Sequence, residues 1–254
     1  MGLLVKHLVV DDIPVELRRN KRRKTRMGLA FDPAGTVIVD APMDASDSEV
    51  CAVIHEHARW LRHRLAKIRS EAACVALPRH ESGELVQYLG NAFELLVSAG
   101  GQSVSLTHRD PQLDLFESVQ GIRGRLTITH PEPTAENVRG LLNGWYTRMA
   151  REILGERLAY WRHLPWLDGE SPPWRIRFMR SQWGSCSAAG KIALNTHLIK
   201  TPGRLIDYVV LHELCHLRHH NHGRRFYGLL TKYMSDWSAR STELDRFLPV
   251  LLHE

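Results

Sequence analysis

Along residues 25–42, TRMGLAFDPAGTVIVDAP, two short apolar runs flank the turn-forming DPAG, the pattern of a β-hairpin. From residue 44 the spacing lengthens. Val50, Val53, Ile54, Trp60, Leu61, Leu65 and Ile68 recur at helical intervals behind Ser and Asp residues suited to a helix start. PRHESGE breaks that pattern. Between about residues 84 and 130 the short β-like runs LVQYLG, FELLVSA, SVSLTH and GRLTITH are separated by Gly, Asn and Asp-Pro turns. Beyond HPEPT the period changes again: Val138, Leu141, Leu142, Trp145, Met149, Ile153, Leu154, Leu158 and Trp161 fall on one stripe of a long helix that ends near HLPWLDGESPP. The stretch WRIRFMRSQWGSCSAAGKIALNTHLI then reads as two strands joined across a Gly/Ser-rich turn. A helix that starts near Pro202-Gly203, RLIDYVVLHELCHL, follows it.

This order of elements gives an α+β chain with an N-terminal β-rich region carrying one helix, residues 1–130, and a mainly helical region, residues 131–254, with a β-hairpin before its HELCH helix. No internal repeat is visible in the sequence. At 254 residues, 43% of them hydrophobic, the chain has the means to bury a real core. No stretch approaches the ~20 apolar residues that cross a bilayer, and the N-terminus lacks the pattern of a secretory signal. The four cysteines, at positions 51, 74, 186 and 215, form no CxxC pair. A reducing compartment, the cytoplasm, is therefore expected.

The formal charge of +6 is concentrated in one place, because Arg18, Arg19, Lys21, Arg22, Arg23, Lys24 and Arg26 fall within nine residues. Such a cluster suits a phosphate backbone, and a DNA-associated activity recruited through it is one reading. It holds no interleaved aromatic residue for base stacking, so a charged β-edge kept from aggregating is the preferred one.

The densest chemistry lies in YVVLHELCHLRHHNHGRRFY, residues 208–227, with five histidines. His212 and His216 are four apart, hence one turn along and on one face of a helix, where two imidazoles can reach one ion. Zn²⁺ suits such a pair and its catalytic sites usually take a third protein ligand. His222 is the candidate. On a continuing helix it would sit about 9 Å further along and on another face, so the helix must end first, with Asn221 and Gly223 as residues that tolerate a left-handed turn. Glu213, beside the first histidine, is placed to take a proton from water. His219 and His220 read as solvated or supporting residues, Cys215 as packing, and Cys186 as a weaker alternative ligand. Arg224 and Arg225 read as a solvated pair. SQWGSCS is either a structural turn or an exposed strand on which a peptide could add.

In the blocks RRNKRRKTRMGLAF, VIVDAP, HEHARWLRHRLAKI, LVQYLGNAFEL, RSQWGSCSAAGKIALNTHLIKTP and IDYVVLHELCHLRHHNHGRRFYGLL, the sequence resembles the YgjP-like zinc metallopeptidases, of the SprT-like or WLM-related group with gluzincin-type His-Glu-x-x-His sites. The last two blocks are the most specific. The resemblance implies a zincin-like C-terminal part with a hairpin leading into the active-site helix, Zn²⁺ held by His212, His216 and His222, Glu213 as general base, and a peptide or protein substrate. His219 stands where the metzincins require Gly, which sets that group aside. The residues by themselves establish only a metal-activated water, so hydrolysis of a nucleotide phosphoanhydride is the alternative chemistry.

Overall fold

The computed structural model describes residues 4–20, 27–31, 36–72, 78–108, 121–179 and 182–247. The chain divides into two compact units, Met1–Ala76 and Leu77–Glu254.

The first unit begins with a hairpin that the sequence pattern did not announce. Strands β1 (Leu4–Val10) and β2 (Ile13–Asn20) pair antiparallel through Val10 and Ile13 across a two-residue turn. Asp11 takes a left-handed φ of 55° there, a conformation Asp accepts better than most side chains. The expected hairpin follows as β3 (Gly28–Phe31) and β4 (Val37–Pro42). The two hairpins lie side by side in the order β1-β2-β4-β3, joined by the parallel pair β2/β4. Ile13, Val15 and Leu17 alternate inward from β2, and Val37, Val39 and Ala41 from β4. Helix α1 (Asp47–Ala72) covers them with Val50, Ile54, Leu61 and Leu65. Its start is a capping box: the Glu49 N–H donates to Ser46 Oγ at 3.2 Å, and the Ser46 N–H donates to Glu49 Oε2 at 2.8 Å.

The basic cluster corrects one expectation. Arg18 and Arg19 sit on β2, an interior strand flanked by β1 and β4, not on an edge. Arg18 donates to Glu16 at 2.6 Å, and Arg19 to Asp47 at 2.5 Å and to the Ala45 carbonyl at 3.2 Å. Lys21, Arg22, Arg23, Lys24 and Arg26 lie outside the described residues.

The second unit opens on the four expected runs, now β5 (Leu85–Tyr88), β6 (Asn91–Ala99), β7 (Ser103–His108) and β8 (Ile122–His130). Their order is β5-β6-β8-β7, with β6/β8 parallel and the outer pairs antiparallel. Helix α2 (Ala135–Tyr160) follows, capped by Thr134, whose hydroxyl accepts from the Asn137 N–H at 3.3 Å. The arrangement of four strands, one order and a 26-residue helix thus occurs twice, although no repeat is visible in the residues.

Residue 130 falls inside this unit, at the step from β8 to α2, because Phe93, Leu95, Leu126 and Ile128 share one core with the helices that follow. Past α2, three strands appear where two were expected: β9 (Trp174–Arg177), β10 (Gly184–Cys186) and β11 (Ile192–Asn195). The Gly/Ser-rich segment, which the sequence leaves open between a turn and an exposed strand, contains β10, which pairs antiparallel with β11 in the order β10-β11-β9. Its residues are poor β-formers, and the register with Ile192, Ala193 and Leu194 makes them a strand. Helices α3 (Gly203–His216), α4 (Arg224–Tyr233) and α5 (Trp237–Leu244) complete the unit. Among the described residues no helix is long and apolar enough to cross a membrane.

Candidate metal centre

Helix α3 is apolar on nearly every side, with Leu205, Ile206, Val209, Val210, Leu211, Leu214 and Cys215 all buried, so it runs through the core of its unit. A helix held in this way fixes what its last turn presents. The Trp166 indole N–H donates to the Leu214 carbonyl at 3.0 Å, satisfying one of the carbonyls that a helix end leaves open. The helix stops after His216, with the Arg218 and His219 N–H groups folding back onto the Cys215 carbonyl.

The chain then reverses, and His222 returns to the helix. The reversal does not use the left-handed residues foreseen for it: neither Asn221 nor Gly223 has a positive φ, and Gly223 is extended, at φ −92° and ψ −175°, as the residue before α4. A succession of ordinary turn conformations after His216 suffices.

Three imidazoles meet as a result. The ring centroids of His212, His216 and His222 lie 4.7 to 5.0 Å apart, and one nitrogen from each falls within 4.8 Å of the others. His222 Nε2 is 3.0 Å from His212 Nε2. Phe226, fully buried on the first turns of α4, packs against all three rings at 4.6 to 5.0 Å and closes the cluster from one side. His216 Nδ1 lies 3.1 Å from the His219 carbonyl; donation there leaves Nε2 with its lone pair free. His219 therefore contributes through its backbone. His220, Arg224 and Arg225 are exposed, and Cys186 is not part of the cluster.

The electrostatics suit a cation. Burial, with the neighbouring imidazoles His216 and His222 adding to it, pushes His212 down to about 3, and burial also lowers His216 and His222. Neutral imidazoles with converging lone pairs and no carboxylate among them are a donor set for a borderline metal ion. The buried Nδ1 of His212 and Oε2 of Glu213 have no hydrogen-bond partner.

Glu213 is 5% exposed, and burial raises its pKa to about 8. It faces β10: a Cβ on Gly184 would stand 2.7 Å from both Cγ and Oε1 of Glu213. Only a glycine lets the strand come so close. The strand is held there by Asn195, fully buried, whose amide donates to the carbonyls of Met179 at 2.6 Å and Gln182 at 2.7 Å, while its Oδ1 accepts from the His197 N–H at 3.0 Å. The structure brings the three histidines together and sets Glu213 beside them on α3, as the sequence pattern places them, while the contacts of Phe226, Gly184, Asn195 and Trp166 join distant segments and have no local sequence signal.

Cys215 is buried, and burial raises its thiol to about 12; Cys186 rises to about 11 through burial and then the Glu213 charge. Neither is a ready thiolate. Residues 25–247 match the family model described as YgjP-like, metallopeptidase domain. No curated protein matches the chain.

Proposed function

The chain belongs to the YgjP-like metallopeptidase domain family and is thus a metal-dependent peptidase, and from this premise we propose that it is a zinc peptidase in which His212, His216 and His222 hold the ion and Glu213 is the general base. The observation that carries this reading is the convergence of three neutral imidazoles next to a buried carboxylate on the same helix. Bound there, Zn²⁺ would supply Lewis acidity toward the scissile carbonyl and toward water.

The remaining steps belong to the chain's own side chains. Glu213 takes a proton from the attacking water and delivers it to the departing amine, and its apolar surroundings strengthen its hold on that proton in transit. Phe226 keeps one side of the imidazole cluster dry, which strengthens every interaction inside. The β10 strand supplies a docking edge: it is the outer strand of its sheet and passes directly over Glu213, so an extended peptide adding to it is brought alongside the carboxylate.

The test combines metal analysis of the purified chain with hydrolysis assays on a peptide library and on nucleoside triphosphates, with and without chelator. Zinc near one per chain and chelator-sensitive peptide cleavage are expected, with Glu213→Gln keeping the metal while losing ~10²–10⁴-fold in rate. Full activity in Glu213→Gln ends the mechanism. Cleavage of triphosphates but not peptides would replace the substrate class.

A further inference from the structure

A second polar concavity lies at β9, the edge of the three-stranded sheet opposite the strand beside Glu213. It is a cavity of about 260 Å³ between α2, the end of β9 and the short helical turn Thr196–Lys200. That volume is just below the ~300–1,000 Å³ typical of sites for drug-sized ligands, so a smaller molecule fits.

The lining is one-sided in its chemistry. Helix α2 contributes Asn143, Thr147 and Arg151, spaced four apart and therefore stacked along one stripe, and β9 contributes Arg177. No acidic residue lines the cavity, and neither arginine is paired with a carboxylate among the described residues. Among the described residues the Asn143 side-chain amide has no hydrogen-bond partner, while the Thr147 hydroxyl donates to the Asn143 backbone carbonyl at 2.8 Å. Apolar contact surface comes from Tyr146 and Phe178.

Behind this wall sits a third basic side chain, Lys200. Lys200 Nζ donates to His197 Nε2 at 3.3 Å and stands 4.6 Å from the Tyr146 ring centroid, and both of those residues line the cavity. Burial lowers Lys200 to about 7. Two guanidinium groups with no carboxylate partner among the described residues, an amide, and a lysine behind them form a donor-rich basin that no acidic residue lines. Arginine forks match planar or tetrahedral oxyanions in just this kind of setting.

We propose that this cavity is a binding site for a small anion bearing a phosphate or carboxylate group, gripped by Arg151 and Arg177 with the Asn143 amide. The site is separate from the histidine cluster and does not depend on the reaction assigned there.

Isothermal titration of the full chain at low salt with orthophosphate, pyrophosphate and succinate tests it. At least one of the three is expected to bind saturably at one site per chain, and the one that binds names the group. Arg151→Gln and Arg177→Gln should each weaken that binding tenfold or more. Arg175→Gln, an exposed arginine of the same strand that does not line the cavity, should leave it unchanged. All three positions are exposed, so matched thermal midpoints are expected to show the fold intact. Absence of saturable binding to all three anions overturns the proposal, as does an equal loss in Arg175→Gln, which would mark a diffuse charge effect.

Discussion

The two four-stranded sheets share one plan, two hairpins joined along a parallel seam and covered by a 26-residue helix, and both units pair charges near their surfaces, yet the units differ in the polar groups they bury. In the first unit charge is met by charge near the surface: Asp47 receives Lys6 and Arg19, Arg62 reaches Asp12, and Ser46 and Glu49 close the start of α1. Its buried side chains are all apolar among the described residues. In the second unit lie all the buried polar side chains described, Asn195, Thr196, His197, Thr201 and Glu213, together with all the buried side-chain atoms that lack partners. An unsatisfied buried polar group costs ~1–3 kcal/mol. Two of those atoms, His212 Nδ1 and Glu213 Oε2, lie at the imidazole cluster, and among the described residues the first unit holds no such atom.

His222→Ala should break this contrast most severely. It removes the third imidazole, which the chain reversal delivers, so metal content by mass spectrometry and peptide hydrolysis should both disappear. Retained zinc with normal turnover would mean that the imidazole cluster is structural and that the second unit carries its polar cost for another reason. Ile54→Ala, in the core of the first unit, should lower stability by ~2–5 kcal/mol in a denaturant titration, while metal stoichiometry stays the same. If zinc were lost as well, the separation of stability from chemistry would fail.

Gly184→Ala sharpens the comparison from the side of the site. The added Cβ meets Glu213, and if Glu213 is the proposed general base, a displacement of ~1 Å there costs ~10²-fold in rate. Metal content and thermal midpoint should remain close to those of the parent, which separates misplacement of Glu213 from loss of fold. Ser46→Ala removes the cap of α1 and should cost ~0.5–2 kcal/mol, with no change in turnover.

The smallest effect concerns acid. Hydrogen bonds from Lys6 and then Arg19 hold Asp47 below its ordinary value of 3.8. A lowered carboxylate stabilises the fold at pH values above its unfolded pKa, and that contribution drains away as the pH falls through the folded one. Acid titration of stability should therefore show Asp47→Asn losing part of the parent's decline below about pH 4. Identical acid limbs in the two proteins would mean that the exposed pair contributes nothing.

Much of this architecture is legible in the residues. Alternation flanked by Gly and Asp-Pro turns marks β3 through β8, and the long apolar stripe marks α2, because these elements depend on local spacing. The His212, Glu213 and His216 constellation is legible for the same reason: a helix turn fixes it. Other elements depend on partners far along the chain. The β1–β2 hairpin escaped notice because Asp11 and Asp12 make its turn without a glycine. Strand β10 has the composition of a loop and is a strand only by its register on β11. Phe226 looks like any apolar residue of an amphipathic helix until three rings are found against it. The arginine basin is assembled from α2, β9 and the 196–200 turn, and no single window of sequence holds it.

The parallel seams β2/β4 and β6/β8 also govern how the chain assembles. A hairpin forms from neighbouring residues in ~1–10 μs, whereas a parallel pair must wait for distant segments to find each other. Until a seam closes, β2 and β6 each present a bare edge of unpaired amides that any hairpin of the same order can occupy. At high concentration the nearest such hairpin belongs to another copy, so exchange of hairpins between molecules is the natural way for this protein to go astray during refolding, and dilution is its natural remedy.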